Sequence, residues 1–203
     1  MEQLAFSLWV YDLITQPIIH YAVGDKPRQY ASDIAVQLNC ALRPERPFRF
    51  LIEVKRRADL RANASKYAIK FGAARAAADH MGGVFCVMDE KRIRTPYLQN
   101  TRLLRRYTEQ DPTSNVVDIL QKKLPEQHLT VDQALSFLAK EGLAEPDARA
   151  GIEEAVACRF LNCDLTLPFD DNSLLHVRPP GAFPTIEEDP ILRSLREASL
   201  ESE

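Results

Sequence analysis

The sequence predicts an α/β protein in which a mixed sheet flanked by helices precedes a small second domain. Three observations predict the first domain. Residues 32–38 and 50–55 alternate between apolar and polar side chains, residues 60–81 carry apolar side chains at helical spacing, and residues 84–88 form a continuous apolar run. Strands and a long helix in this order are typical of an α/β domain.

The N-terminal stretch is expected to form a helix and then a hairpin. Apolar residues recur on one side of residues 2–14 and predict a short helix, which Gln16-Pro17 ends because proline disfavours helix in the residue before it. Residues 18–23 predict a strand. After a glycine-containing turn, residues 29–38 predict the strand that returns beside it.

Two predicted strands bring charged residues together. In residues 50–55 every second side chain is apolar, so one face is expected to enter the core while the other carries Glu53 and Lys55. Residues 32–38 alternate in the same way, with Asp33 on the polar face. If the two strands pair, Asp33 and Glu53 converge and Lys55 lies one step away.

The clearest helix covers residues 60–81, where apolar side chains recur at steps of three and four, and glycines 82–83 end it. The apolar run at residues 84–88 predicts a strand buried on both faces. A strand, a helix and a strand in this order place the last strand parallel to the first. Residues 96–109 predict a further helix.

A domain boundary is predicted at residues 109–114, which gives a first domain of residues 1–110, a second of residues 111–178 and a flexible tail of residues 179–203. The second domain is predicted to contain three helices and two strands, at residues 116–124, 130–142, 147–159, 160–167 and 173–177. Three short helices followed by a hairpin is the order of a winged helix; the alternative is a small helical cap on the first domain. In the tail, Ile191, Leu192 and Leu195 can form a short docking helix.

Composition bounds the cellular setting. No apolar run approaches the roughly 20 residues that span a bilayer, so we expect no membrane partner. The start, Met1 to Leu4, lacks the basic region of a signal peptide. The four cysteines show no disulfide framework. These features favour a protein of the reducing cytoplasm.

Charge is segregated along the chain. The net charge of −3 argues against nucleic-acid binding, but basic residues dominate residues 55–75 and 91–106, whereas acidic residues gather in the tail. Segregation of this kind permits phosphate binding; solvated helix faces are the alternative. The candidate DNA-binding residues on the basic helix are Arg56, Arg57, Arg61, Lys66 and Lys70.

The Asp33, Glu53 and Lys55 pattern indicates a reaction type. Two carboxylates and a lysine on adjacent strands can hold a divalent metal and polarise a water beside a phosphate. Together with the basic helix that follows, they predict a metal-dependent DNA endonuclease. The structural alternative is a salt-bridge patch on the surface of a sheet.

Several short motifs also occur in the order of a known family: Gln16-Pro17, Tyr30-Ala31-Ser32-Asp33, Ile52-Glu53-Val54-Lys55, Ile93-Arg94, and Leu98-Gln99-Asn100 with Leu104 and Tyr107. With them, the sequence resembles TnsA, the endonuclease subunit of heteromeric cut-and-paste transposases, over residues 1–110. The later domain is similar to the winged-helix C-terminal domain of that family.

The resemblance implies a restriction-endonuclease-like fold and a magnesium-dependent nuclease, with manganese able to substitute, that cleaves the 5′ ends of a mobile element. It implies that Asp33 and Glu53 bind the metal, that the Val54 carbonyl is a further ligand, and that Lys55 positions or activates the attacking water. The implied partners are the DNA of the transposon ends, an integrase-like transposase subunit, and an ATPase regulator of transposition that contacts the C-terminal part.

The family also places a catalytic glutamate in its first helix. Glu2 is the candidate in this chain, although it lies closer to Gln16 than the family pattern requires. Either the start of the chain is truncated, the helix is rearranged, or the ligand is missing. A non-catalytic DNA-binding or adaptor subunit that keeps the nuclease fold is therefore the alternative function, and a standalone restriction or repair nuclease shares the chemistry without the partners.

Overall fold

The computed structural model of the chain describes residues 1–39, 49–108, 115–179, 181–182 and 184–201. The helices are α1 (Glu2–Ala5), α2 (Arg57–Ala62), α3 (Ala64–His80), α4 (Glu90–Ile93), α5 (Pro96–Leu104), α6 (Val116–Lys123), α7 (Val131–Lys140), α8 (Glu145–Ala157) and α9 (Pro190–Leu200). The strands are β1 (Val10–Thr15), β2 (Ile18–Val23), β3 (Lys26–Ala31), β4 (Ile34–Leu38), β5 (Arg49–Val54), β6 (Val84–Met88), β7 (His128–Thr130), β8 (Leu161–Cys163) and β9 (Leu174–Val177).

The chain is a mixed α/β protein that divides into two compact units. We call Ser7–Arg94 with Ile191–Glu203 the four-stranded unit, after its larger sheet. We call Met1–Phe6 with Thr95–Pro190 the three-helix unit, after its helices α6, α7 and α8. Contacts therefore divide the chain after Arg94. The predicted boundary at residues 109–114 lies outside the described residues.

The four-stranded unit contains a mixed sheet in the order β1-β4-β5-β6. Strand β4 is antiparallel to both β1 and β5, whereas β5 and β6 are parallel, which confirms the predicted strand–helix–strand arrangement. Ile34 pairs with Ile52, so Asp33 lies opposite Glu53 by continuation of the same register. Strand β5 is buried on both faces from Phe50 to Glu53, rather than on one face as predicted.

Helix α3 covers one face of this sheet. The core beneath it takes residues from the sheet, from α3 and from the β2–β3 hairpin: Leu51, Phe85, Phe71, Ala74, Ala78, Ile19 and Tyr30. Burying a large apolar side chain contributes about 1.5–3 kcal/mol. These contacts fix the hairpin against the helix and the sheet, and Tyr30 thereby becomes part of the core.

The predicted glycine end of the long helix is confirmed. Gly82 has a φ of 67°, the left-handed conformation that ends helices and that glycine adopts without a Cβ penalty. At Gly83 a Cβ would lie 2.6 Å from the Arg49 carbonyl oxygen, so only glycine fits where β6 begins beside β5.

The N-terminal stretch differs from its prediction. Residues 2–14 do not form one helix: α1 ends at Ala5, and Val10–Thr15 is strand β1, paired antiparallel with β4. Leu8 and Tyr11, two of the apolar residues on one side of the predicted helix, are 50% and 72% exposed. Pairing with β4 outweighs the helical spacing of a few apolar residues, because five of the six residues of β1 pair with residues of β4.

Residues 29–38 also form two strands instead of one. Strand β3 pairs with β2 in a separate hairpin, while β4 joins the larger sheet. The chain changes sheets at Ser32-Asp33, opposite Gln16-Pro17. There, the Ser32 amide donates to the Pro17 carbonyl at 3.1 Å and the Gln16 amide donates to the Asp33 carbonyl at 3.0 Å.

The three-helix unit packs α6, α7 and α8 with an antiparallel sheet in the order β7-β9-β8. The three helices were predicted, and the capping box at Thr130 is present, since Thr130 and Gln133 exchange hydrogen bonds. The predicted strand over residues 160–167 shortens to β8, and β7 was not predicted because its three residues are too few for a pattern.

The predicted flexible tail contains helix α9, so the expectation for residues 190–200 is corrected. Ile191, Leu192 and Leu195 are buried in it. Arg92 forms salt bridges with Glu197, at 3.6 Å, and with Glu201. Among the described helices, none is both long enough and apolar enough to span a bilayer.

Candidate active site

The candidate site begins at the bend between the two sheets. Gln16 has a φ of 52°, in the left-handed region that costs a non-glycine residue about 1 kcal/mol. The strained turn at Gln16 is held by its amide, which donates to the carbonyl of Asp33. Strained backbone of this kind persists where the surrounding contacts over-determine it, and here it fixes the position of Asp33.

The residues predicted as site residues on β4 and β5 come together around the ammonium of Lys55. Its Nζ lies 2.6 Å from Glu53 Oε1, 3.2 Å from the Val54 carbonyl oxygen and 3.6 Å from Asp33 Oδ2. Asp33 Oδ2 also accepts a hydrogen bond from the Val54 amide at 2.7 Å. Three oxygens from adjacent strands therefore point at one cation.

Glu53 is the buried member of this group, with 3% of its surface exposed, whereas the Asp33 side chain is 41% exposed. A buried carboxylate requires donors to compensate for its lost hydration. Besides Lys55 on Oε1, Glu53 accepts a hydrogen bond on Oε2 from the Tyr30 hydroxyl at 2.6 Å. The site thus has an interior side formed by Glu53 and a solvent side formed by Asp33.

Two competing effects act on the pKa of Lys55. Partial burial lowers the pKa of the ammonium, but the hydrogen bond and charge of Glu53, together with the charge of Asp33, outweigh burial and raise it above its ordinary value. Lys55 is therefore positively charged at neutral pH. In this state it is a donor and a point charge, not a general base.

The donor set fits a hard divalent cation. Two carboxylates and a backbone carbonyl are oxygen ligands of the type that Mg²⁺ and Mn²⁺ prefer, and they already converge on a cation, the Lys55 ammonium. Within the described residues, no three His, Cys, Asp or Glu side chains form a metal-binding group. That leaves one or two carboxylates per ion, the number Mg²⁺ often takes from a protein when water and phosphate complete its coordination.

Glu2 lies on helix α1. It belongs to the three-helix unit, where its carboxylate forms salt bridges with Arg102 at 2.7 Å and with Arg105 at 3.5 Å. The hydrogen bond from Arg102 lowers the pKa of Glu2. Helix α1 is thus not part of the compact unit that contains Asp33 and Glu53.

The candidate DNA-binding residues fall into two groups. Arg56, Arg61 and Lys66 are exposed at the start of α2, on α2 and on α3. The others have protein partners: the Arg57 guanidinium pairs with Asp89, and Lys70 lies over the Tyr30 ring at 5.9 Å from its centroid.

Two residues of the site were not assigned to it from the sequence, Tyr30 and Ser32. Ser32 Oγ donates to the Ile52 carbonyl at 3.0 Å and lies 3.4 Å from Glu53 Oε2. Both were hidden because alternation placed them on the apolar side of the predicted strand with Ile34. Two hydroxyls on an otherwise apolar face were the available signal, since buried hydroxyls need partners.

A scan against protein-family models finds no family that matches the chain, and a search of the curated proteins finds no match. A functional proposal therefore depends on the chemistry of the residues around Lys55.

Proposed function

We propose that the protein is a metal-dependent DNA endonuclease, the subunit of a TnsA-like transposase that cleaves the 5′ ends of a mobile element. The observation that supports this proposal is the convergence of Glu53, Asp33 and the Val54 carbonyl on the Lys55 ammonium within 3.6 Å. A surface salt bridge needs one carboxylate. Here two carboxylates and a carbonyl share one lysine, at the point where β4 meets the bend.

Each residue has a distinct role in this proposal. Asp33, Glu53 and the Val54 carbonyl would hold Mg²⁺ or Mn²⁺, with Glu53 fixed from the interior and Asp33 open to the substrate. When bound, the metal supplies charge neutralisation at the scissile phosphate and a water of lowered pKa. Lys55 donates hydrogen bonds to the phosphate or to the attacking water and so orients them, as a positively charged ammonium can.

The sheet supports a restriction-endonuclease-like fold in general terms: a mixed sheet flanked by helices, with its carboxylates on adjacent antiparallel strands. Basic side chains follow β5 directly along the chain. Arg56, Arg61 and Lys66 are exposed, so they can contact DNA phosphates. Arg57 is committed to Asp89 and contributes less.

The three-helix unit supports a winged-helix-like domain through its element order, α6-β7-α7-α8-β8-β9, and its sheet order β7-β9-β8. Its third helix, α8, is buried from Gly151 to Ala157 and exposes acidic side chains at Glu145 and Asp147. Such a helix is poorly suited to the major groove. We therefore assign this unit to protein contacts, with the ATPase regulator or the integrase-like transposase subunit.

The same proposal places the protein in the cytoplasm, where transposition acts on chromosomal and plasmid DNA. Cys86, Cys158 and Cys163 are free thiols, which agrees with a reducing compartment. A transposase gene and an ATPase gene beside its own would support the transposition assignment, whereas a neighbouring methyltransferase gene would favour a standalone restriction nuclease.

One observation favours the alternative, a non-catalytic DNA-binding or adaptor subunit. Glu2, the candidate for the first-helix glutamate, is occupied by Arg102 and Arg105 in the three-helix unit. If a second metal needs that carboxylate, the chain keeps the fold without the reaction.

Calorimetric titration with MgCl₂ and MnCl₂ distinguishes the two functions. We expect the native protein to bind metal in the presence of DNA, and Asp33→Ala and Glu53→Ala to lose that binding. Nicking of a plasmid that carries the element ends, with the transposase subunit present, is then expected only with the native protein. Absence of metal binding by the native protein, even with DNA, would reject the nuclease and leave the adaptor.

A further inference from the structure

The two oxygens of Glu53 have separate partners. Oε1 lies 2.6 Å from Lys55 Nζ, on the side where Asp33 also approaches. Oε2 points the other way and accepts the hydrogen bond of the Tyr30 hydroxyl at 2.6 Å. A carboxylate held at one oxygen cannot rotate freely, so the partner of Oε2 determines where Oε1 points.

Tyr30 is the principal donor to Oε2. Ser32 Oγ is also within 3.4 Å, but a hydroxyl carries a single proton, and the shorter contact of Ser32 is the 3.0 Å bond to the Ile52 carbonyl. Tyr30 has 7% of its surface exposed and Ser32 none. Water therefore has little access to replace the phenol.

The phenol itself is held rigidly. Its ring belongs to the core cluster with Leu51 and Phe71, and the Lys70 ammonium lies 5.9 Å from the ring centroid. A hydrogen bond from such a fixed donor restricts the carboxylate more than one from a mobile side chain would.

We propose that Tyr30 is a positioning residue for the metal site: its hydroxyl fixes Glu53 Oε2 so that Oε1 faces the Asp33 carboxylate and the Val54 carbonyl. This inference rests on the proposed function, because it assigns Tyr30 a role only if Glu53 binds a metal. Outer partners that orient ligating groups commonly change metal affinity by about 10–100-fold when removed.

The test compares Mn²⁺ binding by the full-length native protein and two variants. Binding is measured from the electron paramagnetic resonance signal of the Mn²⁺ that remains unbound. Tyr30→Phe removes the hydroxyl and keeps the ring. Tyr67→Phe is the matched control, because the Tyr67 hydroxyl donates to Asp59 Oδ2 at 2.6 Å in the same unit. We expect Tyr30→Phe to lower Mn²⁺ affinity by about tenfold or more, and Tyr67→Phe to leave it within about twofold of the native value.

A second readout separates positioning from folding. In nicking assays with the transposase subunit, excess Mn²⁺ is expected to restore the maximal rate of Tyr30→Phe, since the carboxylate is present but less well oriented. The same excess is not expected to restore Glu53→Gln, which lacks the anionic ligand. A lowered maximal rate in Tyr30→Phe with an unchanged metal requirement would contradict the proposal.

The outcomes also separate this inference from the proposed function. If the native protein and Tyr30→Phe bind Mn²⁺ with the same affinity, Tyr30 does not position the site, and the metal-site proposal stands. Equal losses in Tyr30→Phe and Tyr67→Phe overturn it too, because they indicate a general structural effect. If the native protein binds no Mn²⁺ even with DNA present, both proposals are overturned.

Discussion

Glu53 in the four-stranded unit and Glu153 in the three-helix unit are both buried and have the same kinds of partner, but their oxygens receive those partners differently. Glu53 is 3% exposed and Glu153 is 8% exposed. Each accepts a hydrogen bond from a tyrosine hydroxyl, at 2.6 Å for Glu53 and 3.0 Å for Glu153. Each also pairs with a basic side chain, at 2.6 Å and 2.7 Å. Burial and partner type do not distinguish them.

The arrangement of the oxygens does. Glu153 receives both of its donors, Arg106 and Tyr107, on the single oxygen Oε2, and both belong to the 3-10 turn Arg105–Tyr107. That contact ties one turn to helix α8. Glu53 divides its donors between two oxygens and shares Lys55 with Asp33. Glu53 is therefore set apart by oxygens that converge with its own on one cation, and not by burial of its carboxylate alone.

Replacing the carboxylate of Glu53 should lower activity more than any other change. Glu53→Gln should lower metal-dependent nicking by at least about a thousandfold, since losing the metal removes several kcal/mol of transition-state stabilisation. Glu153→Gln is the matched control, with the same substitution at a glutamate of similar burial, and should nick at the native rate. The assay is plasmid nicking with the transposase subunit and Mg²⁺. Comparable losses in both variants would mean that burial, and not the site, governs activity.

The next effect concerns the lysine. Lys55→Met removes a positive charge close to the carboxylates, so we expect Mn²⁺ affinity to rise by about three- to tenfold, the scale of a nearby like charge. Nicking should fall in the same variant, because Lys55 no longer orients the water or phosphate. Lys140→Met, a change on the exposed surface of α7, serves as the control for calorimetry. Weaker Mn²⁺ binding by Lys55→Met would show that the lysine supports the metal instead of competing with it.

Asp89 is a further buried carboxylate, and its partners indicate a structural role. Burial raises its pKa, but the Arg57 guanidinium and the amides of Lys91 and Arg92 outweigh burial and lower the pKa below the ordinary value. Its stabilisation is therefore complete above the ordinary carboxyl pKa, about 3.9, and is lost as the pH falls through the lower folded value.

Asp89→Asn keeps an acceptor at the start of α4 but removes the charge. We expect it to cost about 1 kcal/mol at neutral pH. The difference from the native protein should shrink as the pH falls below about 4 and vanish below the lower folded pKa of Asp89. Urea unfolding across this pH range measures both. A constant difference at every pH would show that the charge of Asp89 is not what stabilises the fold.

The smallest effect concerns the basic surface. Arg61→Ala and Lys66→Ala should each weaken binding to any duplex by a few-fold and reduce the slope of log affinity against log salt by about one. Neither is salt-bridged within the described part of the chain. Arg102→Ala is the control, since Arg102 already pairs with Glu2. Unchanged salt slopes for Arg61→Ala and Lys66→Ala would place the DNA on another surface.

The convergence at the site could be predicted from sequence because it depends on strand parity. Alternation alone placed Glu53 and Lys55 on one face, and a single assumption about pairing brought Asp33 opposite Glu53. The hydrogen bond between Tyr30 and Glu53 could not be predicted, since it depends on the chain changing sheets at Ser32-Asp33. That change follows from tertiary pairing with Gln16-Pro17, which no local pattern encodes.

The remaining differences have similar causes. Val10–Thr15 is a strand because β4 provides a pairing edge, and α9 is ordered because Ile191, Leu192 and Leu195 are buried by contacts distant in sequence. Local propensity is a weak guide wherever such long-range contacts decide the conformation. By contrast, α3 and the capping box of α7 have their signals in their own residues, and both were predicted.

Each compact unit is made of two separate lengths of chain, and this has a consequence for biosynthesis. The four-stranded unit includes Ile191–Glu203, and the three-helix unit includes Met1–Phe6. On a ribosome, the first segment of the sheet emerges long before α9, so this unit waits for its last helix while the entire three-helix unit is being translated. For the same reason no single proteolytic cut yields both units intact: each fragment would carry a piece that belongs to the other.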